Sequence, residues 1–295
     1  MSEPDTNLTG SESYASPAAV RQGGPPGAPA PIRIVSTDFD GTLYAPDENP
    51  PTPPEWWRRI RALQAQGVKW IVNTGRDMAS WRSVWDPLAE TAGTAPDGLI
   101  LVEREIYERR GGEWRSWEEW NRRCREAHEA LFRDLAAAAR EWAAWARARG
   151  GAVIYEDPYS PLCIVGDTME DAEAICGYVQ AQLRRFPEAI LVRNDVYARL
   201  AHRDFTKGAA LRVVAERLGV GPENVFAAGD HLNDLSMLNL RAARRLAAPA
   251  NAVVEVKEAV RRQGGWVSRL PHARGVLEAM DALSLGGRGA TRENP

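Results

Sequence analysis

From residue 32 onward, short runs of β-branched and other apolar residues alternate with longer stretches in which apolar positions recur every three or four residues. That alternation predicts strands and helices in turn, the order of parallel βα units rather than of an all-β or all-α domain. Ile32 to Thr37 reads as the first strand. A helix is expected from Pro54, where proline is welcome in a first turn, to Gln66, with Gly67 as its stop. A second strand over Val68 to Asn73 follows, then a loop and helix, then a third strand over Leu99 to Val102. Glu103 to Glu108 is expected to be a short β extension leading out of this first module.

The texture then changes. Ser116 to Ala148 carries Trp117, Trp120, Cys124, Leu131, Leu135, Ala138, Trp142 and Trp145 at helical spacing, and Ser116-Trp117-Glu118-Glu119 reads as a capping box at its start. Strand-like runs at Ala152 to Glu156 and Leu162 to Val165, a helix from about Glu170 to Arg185, and strands near Ile190 to Arg193 and Val196 to Ala201 come next. Helix, strand, strand, repeated, predicts a small sheet covered on one face by two helices. The first pattern resumes with a helix from Thr206 to Leu218, a strand from Asn224 to Ala228, and helices over Val253 to Arg262 and His272 to Leu283. The expected fold class is therefore α/β: a Rossmann-like, doubly wound parallel sheet over 32–108 and 202–283, interrupted by an α/β module over 109–201.

Composition trims this picture at both ends. With 295 residues, 44% of them hydrophobic, the chain can bury one large core or two moderate ones. Residues 1–31 are rich in Ser, Pro, Gly and Ala and lack the basic start and apolar centre of a signal peptide, so they read as a disordered tail; 284–295 reads as a flexible one. A formal charge of −3 argues against nucleic acid as a partner. Three widely spaced cysteines form neither a CxxC pair nor a disulfide framework and fit a reducing cytoplasm. No stretch approaches the roughly 20 apolar residues that cross a bilayer, which argues against a membrane role.

The candidate chemistry sits where strands end. Asp38-Phe39-Asp40-Gly41-Thr42 follows the first strand, and carboxylates spaced i and i+2 turn toward one site, with Gly41 permitting a tight turn. In open parallel sheets ligands bind outside the carboxyl ends of the strands. Thr74 follows the second strand, Lys207 opens a helix, and Asp230, Asn233 and Asp234 follow the strand ending at Ala228. Taken singly, each has a plain reading as a turn former, a helix cap or a surface charge. Taken together, in this order and at strand ends, they call for one explanation.

Four stretches, DFDGT, NTGR, FTKG and GDHLND, resemble in sequence and order the motifs of the haloacid dehalogenase superfamily of phosphatases and phosphotransferases. The resemblance spans about residues 32 to 283. It implies a phosphatase that attacks a phosphate ester with Asp38, forming an aspartyl phosphate that water then hydrolyses. Asp40 is implied as acid and then base. Mg2+ would be held by Asp38, the backbone carbonyl of Asp40 and Asp230, with Asp234 acting from behind. Thr74 and the Gly75 N–H would hold phosphoryl oxygens, Lys207 would counter the negative charge, Asn233 would orient nearby groups and Thr42 would steady the first loop.

The inserted module resembles the C2-type cap of the Cof-like and sucrose-phosphate-phosphatase-like branch, as do GDHLNDLSML and Ala250-Asn251-Ala252-Val253. That favours a small phosphorylated metabolite, a sugar phosphate, as substrate. A phosphomutase or phosphotransferase using the same intermediate is the alternative, and a silent phosphosugar-binding domain a more distant one. One departure stands out: relatives often place Asn-Gly after the third strand, whereas this chain has Val102-Glu103-Arg104. Glu103 and Arg104 read as a surface hairpin with a local ion pair. The tryptophans from Trp114 to Trp145 read as packing rather than as a sugar-stacking face. His231 reads as a solvent-facing loop residue, and Asp195 and Tyr197 as hairpin chemistry in the last turn of the module.

Overall fold

A computed structural model describes residues 30–283. Apart from Ala30 and Pro31, the tails anticipated over 1–31 and 284–295 lie outside the described residues. The elements are β1 (Ile34–Thr37), α1 (Pro54–Ala65), β2 (Lys69–Asn73), α2 (Met78–Ala92), β3 (Gly98–Leu101), β4 (Glu105–Arg110) and β5 (Glu113–Ser116). Then come α3 (Glu118–Arg149), β6 (Ala152–Asp157), β7 (Ser160–Gly166), α4 (Met169–Leu183), β8 (Ala189–Asn194) and β9 (Tyr197–His202). The chain returns through α5 (Lys207–Arg217), β10 (Val225–Ala228), β11 (Arg245–Ala248), α6 (Val254–Arg262), β12 (Trp266–Val267) and α7 (His272–Ala282).

Eight strands form one sheet in the order β12-β11-β10-β1-β2-β3-β4-β5, and the six from β12 to β3 are mutually parallel. β1 is buried along its whole length, as a central strand covered on both faces requires. Winding runs outward through β2 and β3 on one side and through β10, β11 and β12 on the other. The reversal between β1 and β10 is the switch point at which open α/β sheets bind ligands. One face packs Trp56, Trp70, Trp81 and Trp85 beneath α1, α2 and α7; the other packs Ile34, Ile71 and Ile100 beneath α5 and α6.

β4 and β5 extend this sheet as an antiparallel edge, with Tyr107 opposite Ser116 and Arg110 opposite Glu113. The border anticipated between 108 and 109 therefore falls inside a hairpin of the large sheet. The capping box anticipated at Ser116 is not formed either. Ser116 is the last residue of β5, α3 starts at Glu118 without a side-chain cap, and the Ser116 hydroxyl instead accepts from Asn121 Nδ2 at 2.9 Å.

β6, β7, β9 and β8 form a second, antiparallel sheet in that order. α3 and α4 cover one face, packing Leu131, Leu135, Trp142, Ile175 and Val179 against Ile154, Leu162, Ile164 and Leu200. The period of two along each strand turns Tyr155, Tyr197 and Arg199 to the opposite face, which the helices leave open.

Candidate active site

The loops that leave β1 and β10 meet at the switch point. Asp38 continues the ladder, its N–H donating to the Ala228 carbonyl at 2.9 Å, and its side chain is buried. Gly41 then turns the chain with φ of 75°, and a Cβ there would run into the Asp230 carboxylate. A close approach and a left-handed backbone thus both require glycine. The Thr42 hydroxyl donates to Asp230 Oδ1 at 2.5 Å, tying the first loop to the second.

Lys207 is the electrostatic hub. It is the first residue of α5, whose N-cap Thr206 accepts from the Ala209 N–H, and its Nζ lies 2.7 Å from both Asp38 Oδ1 and Asp234 Oδ1. Burial alone would lower the ammonium pKa, but the charges of Asp234 and Asp38 outweigh it and hold the lysine charged. Gly208 brings α5 against the Ser236 carbonyl, where a Cβ would collide. Asp234 is spent on structure: Oδ1 takes Lys207 and Oδ2 takes the N–H groups of Asp230 and His231 at 2.9 and 3.0 Å.

Three acids against one ammonium leave the cluster short of positive charge. Burial, then the neighbouring acids, pushes Asp38 well above the usual carboxylate range despite Lys207, and burial with the charge of Asp234 pushes Asp230 up to about 7. Carboxylate oxygens of Asp38, Asp230 and Asp234 all lie within 4.8 Å of one another. This all-oxygen donor set fits a hard divalent cation, with Asp38 and Asp230 free to ligate and Asp234 acting through Lys207 and the backbone.

Asp40 faces another partner. Arg76 Nε and Nη2 grip its two oxygens at 2.7 and 2.8 Å, and Arg76 Nη1 is braced on the Ser80 hydroxyl at 3.0 Å. The fork leaves only the Asp40 backbone carbonyl for a cation. Thr74 and Gly75 lie beside it after β2, the Thr74 hydroxyl accepting from the Arg76 N–H at 3.2 Å. Arg76 is the residue that sequence reasoning passed over, although it closes the NTGR motif.

The open face of the second sheet roofs these groups. A crevice of about 400 Å³ is lined below by Asp38, Asp40, Thr74 and Arg76 and above by Tyr155, Asp157, Tyr159, Asn194, Tyr197 and Arg199. None of Trp114, Trp117, Trp120, Trp142 and Trp145 lines it. Trp142 belongs to the core of the second sheet, and Trp145 stacks on Tyr178 with ring centroids 3.7 Å apart.

Two expectations fail here. Glu103 and Arg104 are not a surface hairpin: they are 7% and 4% exposed, with Glu103 paired to Arg199 of β9 at 3.2 Å. Burial alone would raise the Glu103 pKa, yet Arg199, Lys207 and the Asn233 amide together hold it below the usual range. His231 is not solvent-facing either. It is 8% exposed, and its Nε2 accepts from the Asp195 N–H at 3.0 Å, because the second sheet closes over its loop. Asn233, expected as an orienting group, donates to Glu103 Oε1 at 2.9 Å.

Comparison with known proteins gives this arrangement its relatives. A family model for haloacid dehalogenase-like hydrolases matches residues 154–280. The fold is that of the sucrose-phosphatase of Synechocystis sp. PCC6803, solved with sucrose and phosphate, with a TM-score of 0.64 at 18% identity over 85% of this chain and 97% of that one. Residues 154–280 are thus similar to the haloacid dehalogenase-like hydrolases, and the described residues share the fold of the solved sucrose-phosphatase. A subclass IIB sugar phosphatase of the family superposes with a TM-score of 0.58 at 18% identity, covering 86% of this chain and 100% of that one. A phosphoglycolate phosphatase of Archaeoglobus fulgidus is 35% identical over 95 residues, 32% of this chain and 40% of that protein. The phosphoglycolate phosphatase of Methanospirillum hungatei is 24% identical over 253 residues, 84% of this chain and 95% of its own length. The second, four-stranded sheet lies between the second and third motifs in sequence, within the span that these solved structures cover.

Proposed function

We propose that this protein is a magnesium-dependent phosphatase that releases phosphate from a small phosphorylated metabolite, a sugar phosphate. The observation that carries the reading is Asp38: a buried carboxylate at the switch point, held 2.7 Å from the Lys207 ammonium and roofed by a crevice of metabolite size. A phosphoryl group carries dense negative charge, so attack by an anion requires fixed positive charge and donors around it. Lys207, Thr74 and the Gly75 N–H supply them from this chain. Mg2+ held by Asp38, Asp230 and the Asp40 carbonyl would add charge neutralisation when bound.

In this reading an Asp38 oxygen attacks phosphorus in line, and the bond from phosphorus to the ester oxygen breaks. Asp40 delivers a proton to that oxygen, so the alcohol leaves neutral. A water oxygen then attacks the aspartyl phosphate while Asp40 takes the water proton, and the Asp38–phosphorus bond breaks to give inorganic phosphate. Arg76 grips both Asp40 oxygens, so the acid reaches the leaving oxygen by giving up one arm of that fork. Tyr155, Asp157, Tyr159, Asn194 and Tyr197 present hydroxyl, carboxylate and amide groups suited to the hydroxyls of a sugar leaving group. Domain roles follow the same division: chemistry over the large sheet, leaving-group selection on the cap.

The test is phosphate release from an aryl phosphate and from a set of sugar, polyol, hydroxy-acid and nucleotide monophosphates, with and without Mg2+. We expect magnesium-dependent turnover, highest kcat/KM for a sugar phosphate, and a loss of at least about a thousandfold in Asp38→Asn. Full turnover by Asp38→Asn, or no release from any substrate, would refute the proposal.

A further inference from the structure

The β3–β4 turn departs from relaxed geometry. Its central residues Val102 and Glu103 have φ of 44° and 67°, and the Arg104 N–H closes the turn on the Leu101 carbonyl at 2.9 Å. With Leu101 paired to Glu105, three residues make the connection, and two consecutive left-handed residues there suit Asn or Gly, so a β-branched residue is an outlier. Such strain persists where the surroundings over-determine it.

What holds the turn is a buried bridge between the two sheets. Glu103 Oε2 accepts from Arg199 Nη2 of β9 at 3.2 Å, while Oε1 accepts from Asn233 Nδ2 of the large domain at 2.9 Å. Arg104 reaches the other side of the cap: its Nη2 donates to the Tyr159 carbonyl in the β6–β7 turn at 3.0 Å, and its guanidinium lies 5.9 Å from the centre of the Tyr159 ring. Behind the bridge lies a second cavity of about 550 Å³, which shares Val102 and Glu103 with the catalytic crevice. The bridge is thus an internal wall spanning core and cap.

We propose that the Glu103–Arg199 pair, presented by the strained turn over Val102 to Arg104, is a latch that docks the cap and positions its tyrosines over Asp38. The two arms grip different strand pairs, Arg199 on β9 and Tyr159 between β6 and β7, so together they fix the tilt of the sheet face as well as its distance. Glu103 and Arg199 are positioning residues. The kinetic consequence rests on the phosphatase reading; the docking itself does not.

The test uses the full chain and four variants, Glu103→Gln, Arg199→Met, the two combined, and Val102→Asn, read by hydrogen exchange and by kinetics. In Glu103→Gln we expect amide exchange over residues 155–159 and 194–199 to rise about tenfold with α3 unchanged, since one partner of a buried charge pair is lost. KM for the best metabolite rises about tenfold with kcat within about threefold, while kcat/KM for a small aryl phosphate changes less than about threefold. The double variant is no worse than the worse single one, because the lone charge has gone. Val102→Asn keeps the latch and relieves the turn, so its Tm rises and its exchange is unchanged. Unchanged exchange over both segments in folded Glu103→Gln, additive losses in the double variant, or a lower Tm for Val102→Asn overturns the proposal. If Glu103→Gln fails to fold, Arg199→Lys, which keeps the charge but loses the guanidinium that reaches Glu103, must show the same rise in smaller measure, and no rise overturns it equally. Absence of aryl phosphate turnover in the unaltered protein would instead refute the phosphatase reading, with the exchange measurements still deciding the latch.

Discussion

Lys207 is fully buried between Asp38 and Asp234, so its removal strands two carboxylates with no other cationic side chain of the described residues in hydrogen-bond reach. Breaking a buried ion pair by deleting one partner typically costs about 3–5 kcal/mol, because the remaining charge is uncompensated. We expect Lys207→Met to lose about that much in chemical denaturation and to be inactive. Gly208 offers a subtler probe. A Cβ there meets the Ser236 backbone, which cannot swing aside as a side-chain tip would, so Gly208→Ala must displace the start of α5. Overpacking of this kind costs about 1–3 kcal/mol. Since Lys207 rides on the displaced turn, we expect a fall in kcat beyond that seen for alanine at exposed Gly219, measured on an aryl phosphate.

At the scale of elements, helix starts aim the functional groups. Thr206 caps α5 by accepting from the Ala209 N–H at 3.2 Å, and Thr168 caps α4 by accepting from the Asp171 N–H at 3.1 Å. Loss of such a cap costs about 1 kcal/mol in either case. The consequences differ by location. α5 carries Lys207 into the cluster with Asp38 and Asp234, whereas α4 packs on the far face of the second sheet. We therefore expect Thr206→Ala and Thr168→Ala to lower Tm alike, and only Thr206→Ala to lower kcat. The sheets divide labour in the same way: parallel β1 and β10 bring two acidic loops together, and the period of two along β6 and β9 leaves Tyr155, Tyr197 and Arg199 facing them.

For the molecule as a whole, we expect acid stability to be linked to a histidine on the long helix α3. Burial, followed by the charge of Arg104, pushes His128 down to about 3; its Nδ1 donates to the Cys124 carbonyl and its Nε2 accepts from the His202 N–H. The unfolded chain takes up a proton at about pH 6.5 and the folded one only near 3. The folded state binds fewer protons between those values, so stability falls as pH drops through the window, by about 1.4 kcal/mol per unit. We expect unfolding free energy to fall by about 2 kcal/mol more in the unaltered protein than in His128→Gln between pH 6.5 and 5. Equal slopes would show that another group carries the acid sensitivity.

The order of elements and the placing of the four motifs in loops at strand ends and helix starts were legible in the sequence because both are local. Hydrophobic period sets strand or helix, Gly67 and Gly219 mark stops, and acids directly after β1 and β10 fall at strand ends whatever the distant neighbours do. Only the tertiary structure decided which side chains those acids meet. Asp40 finds Arg76 36 positions away, Glu103 finds Arg199 96 positions away, and His231 is buried by a turn 36 positions before it. A buried charge is tolerated only where a partner arrives from elsewhere, and no periodicity records that arrival. Glu103 and Arg104 read as a surface hairpin for this reason: two adjacent opposite charges after a strand look solvent-exposed until a second sheet is laid over them.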